Sequence, residues 1–189
     1  LEYLFCSGEI IVYMDDDDIY PNTRIMHAVE KLQASEKLIA GCSSIPVLFL
    51  QDKEIWSTGP FFENHACAAS FAFKKKLLNF TSFNNNDFYG EEKYFLKNYS
   101  IPLIQLDPNK TILCLAHEKN TIEKRIMKWR PGIMRSKKLN ISEKEKESME
   151  KVVRRYELFL ETSLPSLDIY KNKILDSLKP SWKLLNLER

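Results

Sequence analysis

The chain has 189 residues, 44% of them apolar and 12% aromatic, and a formal net charge of +2. That length and composition suit a globular protein of one buried core with an appendage, and the small charge gives no ground for a nucleic-acid partner. No signal peptide is evident, and no uninterrupted apolar run approaches the ~20 residues that cross a bilayer, so no transmembrane segment is expected.

Residues 1–6 read as the end of a helix that stops at Ser7-Gly8. Because the chain opens at Leu1 and not at Met, it is expected to be a fragment whose upstream part, with any targeting signal, is absent. Residues 10–14, Ile-Ile-Val-Tyr-Met, form a continuous apolar run of the kind that makes a buried strand. Pro21 and Asn22 open a helix in which Ile25, Val29 and Leu32 recur on one face, with Arg24, Glu30 and Lys31 on others. A second strand is predicted over 38–43. A hairpin follows, with arms at 47–50 and 55–56 around the polar turn 51–54. Residues 70–73 read as a short strand feeding a basic helical turn at 74–78, and 81–87 as an Asn-rich loop and candidate lid. Gly90 precedes a helix over 91–98. Strands at 102–106 and 111–115 are separated by the turn signature Asp107-Pro108-Asn109-Lys110.

Basic residues gather between Lys119 and Lys138, either as a phosphate-facing surface or as a solvated linker, with the linker the simpler reading. Ser142 with Glu145 makes a capping box, and Val152, Tyr156 and Phe159 mark one face of a long helix after it. Pro165 and Pro180 break up a further helical segment. Mixed strands and helices in this order argue an α/β layered domain. The division expected is 1–130 as the main unit and 131–189 as a helical extension. Cys6, Cys42, Cys67 and Cys114 are far apart with no Cys-x-x-Cys pair, which reads as free thiols in a reducing, cytoplasmic setting.

The chemistry concentrates at Asp15, Asp16, Asp17 and Asp18, four carboxylates behind an apolar strand. Ligands bind at the carboxyl ends of strands in open α/β sheets. Crowded like charges raise each other's pKa unless a cation neutralises them, and Mg²⁺ or Mn²⁺ prefers carboxylate oxygen shared with a phosphate. The bland alternative is a solvated acidic loop. A calcium loop fails, because Met26 stands at the twelfth position where a Glu is required. If strand alternation continued, Asp15 and Asp17 would face one side and Asp16 and Asp18 the other. Either Asp17 or Asp18 can then be the second acidic ligand. Glu91 and Glu92 at a helix start fit either a plain preference for the positive end of the dipole or a general base whose pKa is raised by desolvation. His117 follows a strand, where a lone histidine is more often structural. As a ligand it would tilt the site toward Mn²⁺.

The segment Gly8-Glu9-Ile10-Ile11 leading to Met14-Asp15-Asp16-Asp17-Asp18 and Tyr20-Pro21 closely resembles the Asp-x-Asp segment of nucleotide-sugar glycosyltransferases of the GT-A fold. Asn64-His65-Ala66 to Phe71-Ala72-Phe73-Lys74 resembles the family's acceptor-side strand, Gly90-Glu91-Glu92 its Glu-Asp motif, and Leu115-Ala116-His117-Glu118-Lys119-Asn120-Thr121 its post-strand histidine segment. The resemblance covers roughly 1–130. It implies a GT-A-like mixed sheet flanked by helices, lacking the first strands, and a hexosyltransferase-type enzyme that uses Mn²⁺ or Mg²⁺. The implied substrates are a nucleotide-diphosphate sugar donor and a glycan, protein or lipid-linked acceptor. It assigns Asp15 and Asp16 to the donor, Asp15, Asp17 and His117 to the metal, Asn64 and His65 to the acceptor, and Glu92 to the role of base in an inverting displacement. Glu92 departs from the family pattern by one methylene. Trp56 and Phe61-Phe62 are further candidates to stack on a sugar, and Lys119, Lys124 and Arg125 to neutralise a leaving diphosphate. The rival readings are a metal-dependent phosphoryl-transfer or nuclease-type enzyme and a non-catalytic binding module.

Overall fold

The computed structural model describes residues 6–83, 90–117, 120 and 123–161, with the side chains of 148, 155–157 and 159–161 set aside. The helix end at 1–5, most of the Asn-rich loop, positions 118, 119 and 121 of the histidine segment, and the segment with Pro165 and Pro180 lie outside that set. So do the Tyr156 and Phe159 side chains. In chain order come β1 (Ile10–Val12), α1 (Arg24–Gln33), β2 (Ile39–Gly41), β3 (Ile45–Phe49) and β4 (Glu54–Thr58). They are followed by β5 (Ala72–Lys74), α2 (Glu91–Phe95), β6 (Leu103–Gln105) and β7 (Cys114–Ala116). The described chain closes with α3 (Ile126–Trp129), α4 (Pro131–Met134), β8 (Lys137–Lys138) and α5 (Glu143–Glu161).

The strands form two mixed four-stranded sheets, so the α/β class holds. The first has the order β1-β5-β2-β6, with β5 antiparallel to both neighbours and β2 parallel to β6. The second has the order β7-β3-β4-β8, built on the β3–β4 hairpin that pairs Val47 with Trp56 and Phe49 with Glu54. β3 runs parallel to β7. One apolar cluster draws on both sheets, uniting Ala40 and Ala72 with Val47, Phe49 and Cys114 under Ala28 and Leu32 of α1. The outer face of the first sheet buries Phe71, Phe73, Phe95 and Leu103. The second sheet packs Leu48, Ile55 and Leu115 against Met149, Val152 and Val153 of α5. Each such side chain contributes roughly 1.5–3 kcal/mol on burial. The Ser142–Glu145 capping box forms as the spacing predicts: the Ser142 amide donates to the Glu145 carboxylate and the Glu145 amide to Ser142 Oγ.

Several expectations need correction. Helix α1 buries Arg24, His27, Ala28 and Leu32, while Ile25 is 56% exposed. Arg24 wins the inner face because its Nη2 donates to the Ser70 and Phe71 carbonyls (2.9 and 3.0 Å), tying the helix to the strand mouth. The predicted strand at 70–73 is a 3₁₀ turn (Ala68–Ser70) followed by β5. The last of the predicted strands begins only at Cys114, because Thr111 and Ile112 take part in the turn after Asp107. Helix α2 ends at Phe95, three residues early. The basic stretch read as a linker carries α3, α4 and β8, with β8 pairing to β4 through Trp56–Lys138 and Ser57–Lys137. Among the described residues, no helix is long and apolar enough to cross a membrane.

Candidate functional site

Strand β1 ends at Val12, so Asp15 to Asp18 lie in a turn and the alternation expected of a continued strand does not apply. Two anchors hold this turn. The Asp15 amide donates to the Tyr20 hydroxyl (2.7 Å), and Ile19 exchanges backbone hydrogen bonds with Leu113 (3.0 and 2.8 Å) just before β7. The acidic turn therefore spans from the carboxyl end of β1 in one sheet to the start of β7 in the other.

The four carboxylates have different fates. Asp18 is 5% exposed, and its Oδ1 accepts from the Leu115 amide (2.8 Å) with Lys124 Nζ at 3.9 Å. Burial outweighs both partners and pushes its pKa up to about 6. Asp18 is thus spent on the Leu115 backbone, which leaves Asp17, whose side chain is 41% exposed, as the more open of the two candidates for second acidic ligand. Partial desolvation raises the Asp15 carboxyl, with Asp17 and Asp16 adding to it and Lys124 opposing. Asp16 lies on the exposed side of the turn.

His117, directly after β7, meets Asp17 across the mouth, with Nε2 3.3 Å from Asp17 Oδ2. Asn120 decides the chemistry of this contact. Its Oδ1 accepts from the His117 amide (2.8 Å), which fixes the amide orientation and turns Nδ2 toward His117 Nε2 (3.0 Å) and Asp17 Oδ2 (3.3 Å). An amide nitrogen only donates, so Nε2 accepts and carries a lone pair. That lone pair is taken up by the Asn120 amide, which also lies on Asp17 Oδ2, so a cation between the two atoms would have to displace the amide first. With the amide displaced, an imidazole nitrogen beside a carboxylate oxygen would suit Mn²⁺ better than Mg²⁺. Among the described residues no three His, Cys, Asp or Glu side chains gather as a self-sufficient metal group, so other ligands would have to come from water or phosphate. Sequence reasoning quoted Asn120 only as part of a motif. Its role is visible only from the hydrogen bonds it makes.

Gly90 takes a left-handed φ of 67° and precedes α2, whose first turn carries Glu91 and Glu92. Burial raises the Glu92 carboxyl, against a weaker opposing bond to its own amide. Burial raises Glu91 as well, helped by the charges of Glu92 and Asp15, which puts the start of α2 within electrostatic reach of the acidic turn. After α2, Lys97, Asn98 and Tyr99 are all left-handed (φ 48°, 53° and 61°), a conformation that costs roughly 1 kcal/mol or more for each residue with a Cβ. Backbone bonds from Asn98 to Lys93 and from Ser100 to Leu96 hold the turn. It delivers Tyr99, whose hydroxyl pKa rises through burial and then through the Glu92 charge.

His65 packs among Phe61 (4.6 Å between centroids), Phe62 (5.2 Å) and Tyr99 (5.4 Å). Ser43 Oγ accepts from the Phe61 amide (2.8 Å) and hydrogen-bonds His65 Nδ1 (3.2 Å), which fixes the orientation of the ring. Burial lowers the His65 pKa by disfavouring the charged ring. Asn64 braces the fold, its Oδ1 accepting from the Leu103 amide at the start of β6 (3.3 Å). Trp56 lies in β4 and donates its indole proton to Glu54, with Lys128 over its ring. Lys124 donates to the Leu115 carbonyl (2.7 Å), and Arg125 pairs with Glu123. No protein family, curated protein or solved structure matches this chain.

Proposed function

We propose that this chain carries the metal and acceptor side of a GT-A-type glycosyltransferase, moving a sugar from a nucleotide-diphosphate donor to an acceptor hydroxyl with inversion. The observation that supports it best is the approach of Asp17 Oδ2 and His117 Nε2 (3.3 Å) at the strand mouth, with the Asp15 charge felt by Glu91 at the start of the helix that carries the half-buried Glu92. Asp17 and His117 would hold Mn²⁺ or Mg²⁺, which when bound would stabilise charge on the departing diphosphate as a Lewis acid. Asp15 and Asp16 take the donor's ribose and sugar hydroxyls. Glu92 accepts the proton of the acceptor hydroxyl as its oxygen bonds to the anomeric carbon, and the bond from that carbon to the diphosphate oxygen breaks with its electron pair. A carboxyl whose pKa is raised is a stronger base, and that serves proton removal near neutral pH.

Isothermal titration with UDP and with GDP, each with and without Mn²⁺, tests the reading. Metal-dependent binding of one nucleotide, lost in Asp17→Ala and weakened in His117→Ala, is the expected result. Binding that ignores both the metal and these substitutions would remove the donor site from the acidic turn.

A further inference from the structure

We propose that Phe62, Tyr99 and His65 form a platform for a pyranose ring, so that the acceptor presented to Glu92 is a carbohydrate. This rests on the transferase reading for its purpose, but its geometry stands apart from the metal site. Phe62 is 50% exposed and meets Tyr99 edge-on at 4.8 Å and His65 at 5.2 Å, so the three rings form one connected surface. A pyranose has an apolar face of C–H groups and a rim of hydroxyls. Aromatic faces cover the first, and a few placed polar groups orient the second.

The polar groups are present. His65 Nε2 meets no partner among the described residues, and in either tautomer it can hydrogen-bond a sugar hydroxyl, which both donates and accepts. Tyr99 sits in the turn that ends α2, the helix that carries the proposed base Glu92, and the Glu92 charge adds to the burial that raises the Tyr99 hydroxyl pKa. Three consecutive left-handed residues hold Tyr99 there, and strain of this kind persists where surrounding structure enforces a position. The Phe61–Phe62 loop is itself pinned, since Arg135 donates to the Pro60 and Phe61 carbonyls. A rigid aromatic surface loses little freedom when a ring settles on it.

Saturation-transfer difference NMR tests this on the whole chain, without nucleotide or metal. The probes are the methyl pyranosides of glucose, galactose, mannose and N-acetylglucosamine, each at millimolar concentration. At least one should receive saturation at its ring C–H protons. Phe62→Ala should weaken its binding by about tenfold, the scale of one lost aromatic partner, and Phe62→Trp should keep it. Phe62 is half exposed, so the variants should fold, as a circular dichroism melt will show. No transfer to any probe, or equal transfer in Phe62→Ala, overturns the platform even where metal-dependent nucleotide binding survives. Phe62-dependent transfer without nucleotide binding upholds the platform as a carbohydrate site and removes the transferase reading instead.

Discussion

Asp18→Asn should make the protein more stable at neutral pH, though it removes a carboxylate from an acidic cluster. Asp18 is 5% exposed, and a carboxyl that titrates near 6 instead of 3.8 costs about 3 kcal/mol to ionise in place. The folded state therefore holds its proton more tightly than the unfolded chain. The stability this brings is complete below about pH 3.8 and is lost as pH rises through 6. Asn is never charged and keeps an oxygen for the Leu115 amide (2.8 Å in the wild type). Its advantage should thus grow from near zero at pH 4 to as much as about 3 kcal/mol at pH 8. Asp18→Ala separates the hydrogen bond from the charge. At pH 4 it should cost about 2 kcal/mol, because the Leu115 amide is left without an acceptor. Urea unfolding in EDTA between pH 4 and 8 gives both curves. An Asn variant whose gain does not grow with pH would refute the reasoning, since Asp18 would then ionise freely and compete with Asp17 for a cation.

Gly59→Ala should destabilise by at least about 2 kcal/mol in thermal unfolding, since φ is +75° and a Cβ there would stand 2.1 Å from the Ser43 carbonyl oxygen. The control Gly132→Ala in α4, where a Cβ meets nothing within 4 Å, should be neutral or gain up to about 1 kcal/mol. Glu54, held by Lys128, Lys138 and Trp56 at a pKa of about 2, contributes stability above pH 4.5 that disappears as pH falls through 2. Glu54→Gln should accordingly cost about 1 kcal/mol at pH 7 and nothing near pH 2, with the pH 7 cost shrinking in high salt. Glu92→Gln should abolish transfer to acceptor, measured by nucleotide release, with Mn²⁺-dependent nucleotide binding unchanged. Near-normal turnover would strip Glu92 of its assigned role.

What the amino-acid order determined alone was whatever depends on near neighbours. The β3–β4 hairpin follows from two apolar runs around a polar turn. The capping box of α5 follows from Ser142 and Glu145 three residues apart. The acidic run at the end of a strand is legible because Ile10 to Met14 precede it. Tertiary structure decided everything that needed a distant partner. Asp18 is withdrawn by an amide 97 positions away, which leaves Asp17 the more open of those two carboxylates. Arg24 is buried against carbonyls 46 and 47 residues further on, although its periodicity placed it on an outer face. Asn120 looks like any loop asparagine until its amide is seen between His117 and Asp17. Tyr99 joins Phe62 only because a strained turn ends α2 early. Local pattern reports which residues are able to share a face. The choice among equivalent carboxylates and rings is made by the backbone donors, acceptors and charges that the fold brings beside each one.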